Sequence, residues 1–185
     1  MGKRISEITP ELQIFIQEQS VFFVASAPLT SSGHVNVSPK GLDTFRVLGP
    51  REVAYFDLTG SGNETAAHVT ENERLTIMFC AFSGRPQIVR LYCRARVVVR
   101  GSEEWLSLIE QFPNHHGLRQ IMVGDVEFVQ TSCGYAVPEM KFVSQRETLT
   151  RWAEAKGDEG LVEYRRMHNR ASLDDLEAPT ANASQ

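Results

Sequence analysis

The chain has 185 residues, of which 42% are hydrophobic and 23% charged, and its formal net charge is −4. This length and composition suit one globular domain with a sizeable core, and they exclude a collagen-like, low-complexity or wholly disordered chain. The acidic balance argues against a general nucleic-acid-binding surface, which needs an excess of basic residues. No apolar run approaches the roughly 20 residues of a membrane span, and no apolar segment follows the basic start. We therefore expect a cytoplasmic protein with no nucleic-acid or membrane partner.

The cysteines and histidines give no sign of a metal site. The three cysteines, Cys80, Cys93 and Cys133, form no CxxC pair, and their odd number does not suit a disulfide framework. The doublet His115-His116 has no further ligand at a suitable spacing. We expect reduced cysteines and no bound metal.

The first half of the chain predicts one helix, several strands and a second helix. A hydroxyl, a proline and an acid at Thr9-Pro10-Glu11 are typical of a helix start. Apolar runs bounded by Gly, Pro and Ser predict strands at 21–27, 34–38 and 53–58. After a glycine-rich turn, Asn63 is expected to cap a short helix that ends near residue 72.

The second half predicts a hairpin, then a more helical end. A buried strand at 75–82 precedes a long alternating strand at 87–100, which places Arg90, Arg94 and Arg96 on one face. Further predictions are a helix from Ser102 to Phe112, a strand at 121–132 interrupted at Gly124-Asp125, one more strand within 134–143, and a charged helix at 146–169 broken at Gly157 and Gly160.

Hairpin spacing with helices between the strands predicts an antiparallel, barrel-like β core with peripheral helices, that is, a mainly β (α+β) protein. The change in composition suggests a barrel domain at 1–145, a C-terminal helical extension at 146–177 and a disordered tail at 178–185. Regular βαβ alternation would need more evenly spaced helices.

Three segments carry residue types suited to an anionic ligand. The strand at 34–38 leads into Pro39-Lys40-Gly41, which places a cation at its exit. The turn Gly60-Ser61-Gly62 leads into a helix, whose N–H groups favour anions. The three arginines at 90–96 could surround a phosphate. Each segment also suits an ordinary structure: a solvated turn lysine, a plain turn or a solvated strand face.

The order of the three segments, with Asp57-Leu58-Thr59-Gly60-Ser61-Gly62-Asn63-Glu64-Thr65 and Gln130-Thr131-Ser132-Cys133-Gly134-Tyr135, resembles the pyridoxamine 5′-phosphate oxidase-like, FMN-binding split-barrel family. The resemblance covers about residues 10–133. It implies a six-stranded antiparallel split β-barrel and a homodimer with FMN in two equivalent clefts at the dimer interface.

The resemblance also implies a set of cofactor-binding positions. They are Asn36, Val37, Ser38, Lys40, Thr59, Ser61, Gly62, Asn63, Thr65, Arg90 and Arg94. The chain looks closest to the short bacterial members of unassigned substrate, and it departs from the oxidase at Glu64 and Thr65, where the oxidase itself has an arginine and a lysine that bind the FMN phosphate. Lys40, Arg90 and Arg94 could compensate for these two lost cations. The segment Arg166-Met167-His168 resembles the oxidase's substrate-binding Arg-x-His only by letters, so we do not expect oxidation of pyridoxamine phosphate itself.

The function that the resemblance implies is a flavin-dependent oxidoreductase acting on a small molecule, with an electron donor such as NAD(P)H. Because the flavin carries the hydride chemistry, no catalytic side chain is assigned. Two alternatives stay open: a non-catalytic flavin carrier, and a relative that binds haem or a deazaflavin in the same barrel.

Overall fold

The computed structural model describes residues 2–179, which form eight strands and four helices. The strands are β1 (Arg4–Ile5), β2 (Phe22–Ser26), β3 (Asn36–Lys40), β4 (Phe45–Gly49), β5 (Glu52–Leu58), β6 (Arg74–Cys80), β7 (Ile88–Val99) and β8 (Leu118–Ser132). The helices are α1 (Pro10–Gln17), α2 (Glu64–Asn72), α3 (Glu103–Ile109) and α4 (Thr148–His168).

All eight strands belong to one antiparallel sheet, in which the order is β3-β2-β6-β7-β8-β5-β4 and β1 pairs separately with β8. The sheet curls so that β2, the strand next to one edge, approaches β4 at the other edge, and the rings of Phe22 on β2 and Phe45 on β4 lie 5.1 Å apart. No backbone pairing joins β3 to β4 within the described residues, so the sheet stays open there.

The mainly antiparallel β fold with peripheral helices is confirmed, but the expected count of six strands is not. The additional strands β1 and β4 have only two and five residues. Two residues are too few to show any alternation, and every residue of β4 is half-buried, so neither strand has the alternating pattern that identifies a strand in a sequence.

The start of α1 is as predicted, because Thr9 Oγ1 accepts a hydrogen bond from the Leu12 amide at 3.3 Å. The predicted capping role of Asn63 is wrong. Asn63 precedes α2, but its side chain makes no capping bond and is bonded to residues elsewhere in the fold.

Strand β8 is continuous through Gly124-Asp125, contrary to the predicted interruption. A Cβ atom at position 124 would lie 3.1 Å from Cys93 Cβ on the neighbouring strand, which is closer than ordinary side-chain contact. The glycine therefore allows close strand approach. The further strand predicted within 134–143 is absent from the structure, where these residues form turn and irregular chain.

The C-terminal helix α4 is kinked at Gly157, which has a φ of +66°, but it runs through Gly160 without a break. Ala178, the first residue of the expected disordered tail, is buried, and its amide donates to the Arg170 carbonyl at 2.9 Å. The remainder of that expectation, from residue 180 on, lies outside the described residues. Within residues 2–179, no helix has both the length and the apolar character needed to cross a membrane.

Candidate functional site

The end of β5 carries a buried carboxylate between two cations. Asp57 is 3% exposed. Lys40 Nζ lies 3.1 Å from its Oδ1, and Arg119 Nη2 lies 2.6 Å from its Oδ2. The Gln120 side chain donates to the same Oδ2 at 2.7 Å. Burial alone raises the pKa of Asp57, but the charges of Arg119 and Lys40 and these hydrogen bonds hold it well below its usual range.

A polar cavity of about 290 Å³, here called the first cavity, opens beside this cluster. It lies between β3 and the turn that joins β5 to α2. Its lining residues are Asn36, Ser38, Lys40, Asp57, Leu58, Gly60, Ser61, Gly62, Asn63, Glu64, Thr65 and Arg119. The structure thus brings together seven of the sequence-predicted site residues: Asn36, Ser38, Lys40, Ser61, Gly62, Asn63 and Thr65.

Four other predicted positions do not line the first cavity. Val37 is exposed beside it on the alternate face of β3. Thr59 is buried and donates to the Gly117 carbonyl at 2.7 Å. Arg90 donates to Ser132 Oγ at 3.0 Å. Arg94 is paired with Glu73 and Glu127 at 3.5 and 3.7 Å.

The Arg166-Met167-His168 segment does not line the first cavity either. Arg166 is exposed and paired with Glu163 at 2.7 Å, one turn earlier on α4. His168 is exposed, and its ring lies 4.5 Å from that of Tyr164. Both side chains bond or pack on their own helix, so they form part of a solvated face.

The N-terminus of α2 faces this cavity without a side-chain cap. Asn63 Oδ1 accepts from Gln120 Nε2 at 2.9 Å, and Asn63 Nδ2 donates to the Asn169 carbonyl at 3.1 Å. The amide groups of the first helical turn therefore have no side-chain acceptor from Asn63. Such amides, at the positive end of the helix dipole, favour an anion.

Glu64, which the resemblance aligns with a phosphate-binding arginine of the oxidase, holds another part of this chain. Its Oε2 accepts a hydrogen bond from the Leu173 amide at 2.8 Å, so it holds the C-terminal extension. Its charge nevertheless remains at the cavity. The charges of Lys40 and Arg119 are balanced by those of Asp57 and Glu64, which leaves the lining formally neutral.

The C-terminal extension binds the glycine-rich turn directly. Asn169 is fully buried and its Nδ2 donates to the Gly60 carbonyl at 3.0 Å. Asp174 accepts from both the amide and the Nδ1 of His34, at 2.7 and 2.6 Å. The extension therefore fixes the turn on one side of the first cavity and the approach to β3 on the other.

A larger cleft of about 790 Å³, the second cavity, lies at the opening between β3 and β4. It shares Lys40, Leu58 and Gly60 with the first cavity, so the two are adjacent. Most of its remaining wall is apolar. The apolar residues are Val21, Pro39, Leu42, Phe56, Phe142, Leu149 and Trp152.

Sequence reasoning missed four polar residues that shape this region: Arg119, Gln120, Arg165 and Asn169. One signal was present. Arg119-Gln120 interrupts an otherwise apolar run at 118–123, and polar residues in a buried strand need partners. No comparable signal marks Arg165 within the charged pattern of α4.

Comparison with known proteins gives the family. The family model described as pyridoxamine 5′-phosphate oxidase matches residues 8–133. The chain belongs to the pyridoxamine 5′-phosphate oxidase family. A relative, the pyridoxamine 5′-phosphate oxidase family protein ustO of Aspergillus flavus, is 37% identical over 186 aligned residues that cover 91% of this chain and 74% of the relative.

Solved structures of distant sequence share the family's fold. HupZ of group A Streptococcus aligns with a TM-score of 0.52 at 19% identity, over 68% of this chain and 99% of the other. A candidate pyridoxamine 5′-phosphate oxidase of Lactobacillus delbrueckii aligns with a TM-score of 0.52 at 16% identity, over 68% and 94%. At these identities the likeness concerns the fold alone.

Proposed function

We propose that this protein binds FMN and acts as a flavin-dependent oxidoreductase on a small molecule. The observation that carries the proposal is the adjacency of the two cavities through Lys40, Leu58 and Gly60. One cavity offers amides, hydroxyls and cations, and the other offers a broad apolar wall. FMN has the same division, with a phosphate and a polyol at one end and a flat ring system at the other.

The polar end of FMN suits the first cavity. The free amides of α2, the Ser61 hydroxyl and Lys40 would hold the phosphate. The side chains of Asn36 and Ser38, which face the same space from β3, would bond the ribityl hydroxyls. The Asp57 cluster would keep Lys40 and Arg119 in place, since both are bonded to that buried carboxylate.

The ring system suits the second cavity. Bound FMN would supply hydride transfer, which no side chain of this chain provides. Phe56 and Leu58 form the wall nearest the first cavity, and Phe142 and Trp152 come from the C-terminal part of the chain. These side chains would orient the ring and exclude water from it.

Riboflavin is the sharpest comparison ligand, because it lacks only the phosphate. A formally neutral lining gives a dianion little net charge attraction, so its binding depends on direct contacts with the amide groups at the helix end and with Lys40. We expect FMN to bind more tightly than riboflavin by about tenfold, or about 1.4 kcal/mol. Equal binding of the two would contradict the assignment of the phosphate to the first cavity.

The test uses Lys40→Ala, with Lys3→Ala as the matched control on an exposed site. Titration followed by flavin fluorescence should show FMN affinity reduced about tenfold in Lys40→Ala and unchanged in Lys3→Ala. Riboflavin affinity should change little in either. Thermal unfolding of each variant checks that Lys40→Ala is folded. Unchanged FMN affinity in folded Lys40→Ala would contradict the proposed site.

A second experiment separates an enzyme from a carrier. The FMN-loaded protein is mixed with NADH or NADPH without oxygen, and the loss of the oxidised flavin absorbance is followed. Reduction, followed by reoxidation with a candidate acceptor, supports the oxidoreductase. A flavin that is bound but never reduced by either nucleotide supports the carrier. Uptake of haem or a deazaflavin, with no uptake of FMN, supports the remaining alternative.

We also propose a homodimer with the FMN sites at its interface. Strand β3 is a sheet edge beside the first cavity, and Val37 on its exposed face and Val35 just before it are 61% and 71% exposed. Exposed apolar side chains at an edge favour association. Sedimentation should show a dimer that Val37→Glu dissociates, while Leu106→Glu, at an equally exposed site on α3, should leave it intact. A monomeric native protein would contradict this.

The division of the chain follows from the same proposal. Residues 1–145 form the FMN-binding domain, and residues 146–177 form a helical extension that completes its site. Two hydrogen bonds, from Asn169 Nδ2 to the Gly60 carbonyl and from the Leu173 amide to Glu64, support the proposal that the extension completes the site.

A further inference from the structure

A third cavity of about 320 Å³ lies on the other side of Thr59 and shares no lining residue with the first two. It is enclosed by the end of β7, helix α3, the loop before β8 and the second half of α4. Its lining residues are Arg100, Trp105, Ile109, Asn114, His115, His116, Gly117, Leu118, Asp158, Leu161, Val162 and Arg165.

Arg165 brings a buried charge to this cavity. It is 5% exposed, and its Nε and Nη2 donate to Thr59 Oγ1 at 2.8 Å and to the Leu118 carbonyl at 3.1 Å. Both acceptors are neutral. No carboxylate of residues 2–179 lies within 4.0 Å of the guanidinium, and its Nη1 makes no hydrogen bond to them. Burial, with the charges of Arg119 and Arg100, lowers the pKa of Arg165 to about 10.

Arg100 adds to this positive field. It lines the same space and forms no ion pair within residues 2–179, and the side chains of His115 and His116 also line it. Asp158 is the one acid among the lining residues. The cavity therefore has an excess of positive charge, and a buried charge without a partner is unfavourable until an opposite charge arrives.

We propose that the third cavity binds a small organic anion with one carboxylate or phosphate group on an apolar body. Nη1 of Arg165, whose other two nitrogens are held by Thr59 and Leu118, and the guanidinium of Arg100 offer N–H donors that either group accepts. Trp105, Ile109 and Leu161 supply the apolar part of the wall. A cavity of about 150 Å³ already accommodates benzene, so this one has room for a single ring with its acidic group.

In the test, binding to the third cavity is followed by the quenching of Trp105 fluorescence. The chain has two tryptophans, and Trp152 lines the second cavity, so a Trp152→Phe protein reports only on the third. The probes are benzoate, phenyl phosphate and neutral benzamide. We expect saturable quenching by benzoate or phenyl phosphate, at least tenfold tighter than by benzamide. The better of the two acids identifies the preferred group.

Variants of this same protein assign the site. Arg100→Gln should weaken binding of the preferred acid at least tenfold, and Arg165→Lys, which keeps a charge but loses the guanidinium that Thr59 and Leu118 hold in place, should also weaken it. Arg151→Gln, on the exposed face of α4, and Lys40→Ala should not. Equal binding of benzamide, no saturable quenching by either acid, or no effect of Arg100→Gln in a folded variant would overturn the proposal.

Discussion

Arg119 and Arg165 lie on either side of Thr59, and both are at most 5% exposed, yet their surroundings differ. Arg119 is paired with Asp57 at 2.6 Å and also donates to the Gly62 carbonyl at 2.9 Å. Arg165 donates only to neutral acceptors and lines a cavity. The first arginine is part of the scaffold that shapes a site, whereas the second is available to a ligand.

The difference teaches that burial alone does not assign a role to a charged residue. A buried pair is costly to break because removing one partner leaves the other charge unpaired. Arg165 is such an unpaired buried charge in the native protein, so the free-energy cost of leaving a charge unpaired is already present there. Substitutions at the two places should therefore differ in how much they change the free energy of unfolding.

The largest effect is expected for Asp57→Asn. The change leaves Lys40 and Arg119 without their shared carboxylate, and we expect the free energy of unfolding to fall by about 3–5 kcal/mol. Urea unfolding at pH 7 measures it. The control Asp125→Asn removes an exposed pair with Arg96 and should cost less than about 1 kcal/mol. A loss at position 57 no larger than the control's would show that the cluster contributes little.

A smaller effect is expected for Arg165→Met. The loss of two hydrogen bonds to neutral acceptors is offset by removal of a buried, unpaired charge, so the free energy of unfolding should change by about 1 kcal/mol or less. The same change at Arg119, which leaves Asp57 with Lys40 alone, should cost about 3 kcal/mol or more. Equal losses at both arginines would remove the distinction between them.

The smallest effect is a pH dependence that neither arginine controls. His68 is buried on α2, with Nδ1 3.0 Å from Ser26 Oγ, and burial lowers its pKa below the ordinary value of 6.5. The unfolded chain therefore takes up this proton first, and stability should fall as the pH drops below about 6.5. Asp57 adds no slope there, because it stays ionised in both states until the pH approaches 4.

Unfolding between pH 7.5 and 5 measures this slope. His68→Asn, which can keep the bond to Ser26, should flatten it, while His116→Gln at an exposed position should flatten it less. A native slope that His68→Asn leaves unchanged would assign the pH dependence to other groups.

Much of the fold and part of the site could be predicted from local pattern. Alternation and turn residues gave most strands, Thr9 gave a helix start, and the segments at 36–40 and 60–65 do meet at one cavity. The sequence also suggested cations at Arg90 and Arg94, but these lie beside glutamates and a serine on β7 and its neighbours. Which arginine faces a cavity depends on strand register and side-chain packing, which spacing alone does not determine.

The missed residues share a physical cause. Arg119 meets Asp57 across 62 residues, and Arg165 meets Thr59 across 106. Such contacts are created when β5 pairs with β8 and when α4 packs on the strand ends. An acid at position 57 in an apolar strand indicates that a cationic partner exists. The sequence alone does not identify which of the 19 lysines and arginines that partner is.

The attachment of Asn169 to the Gly60 carbonyl has a consequence for the order in which the protein forms. The turn that borders the first cavity is made early in synthesis, whereas the residue that fixes it is made more than 100 positions later. Contacts across such separations form late in folding, because they close long loops. A nascent chain that has completed β8 therefore has all the strands of its sheet, but the turn beside the first cavity is secured only once α4 has left the ribosome.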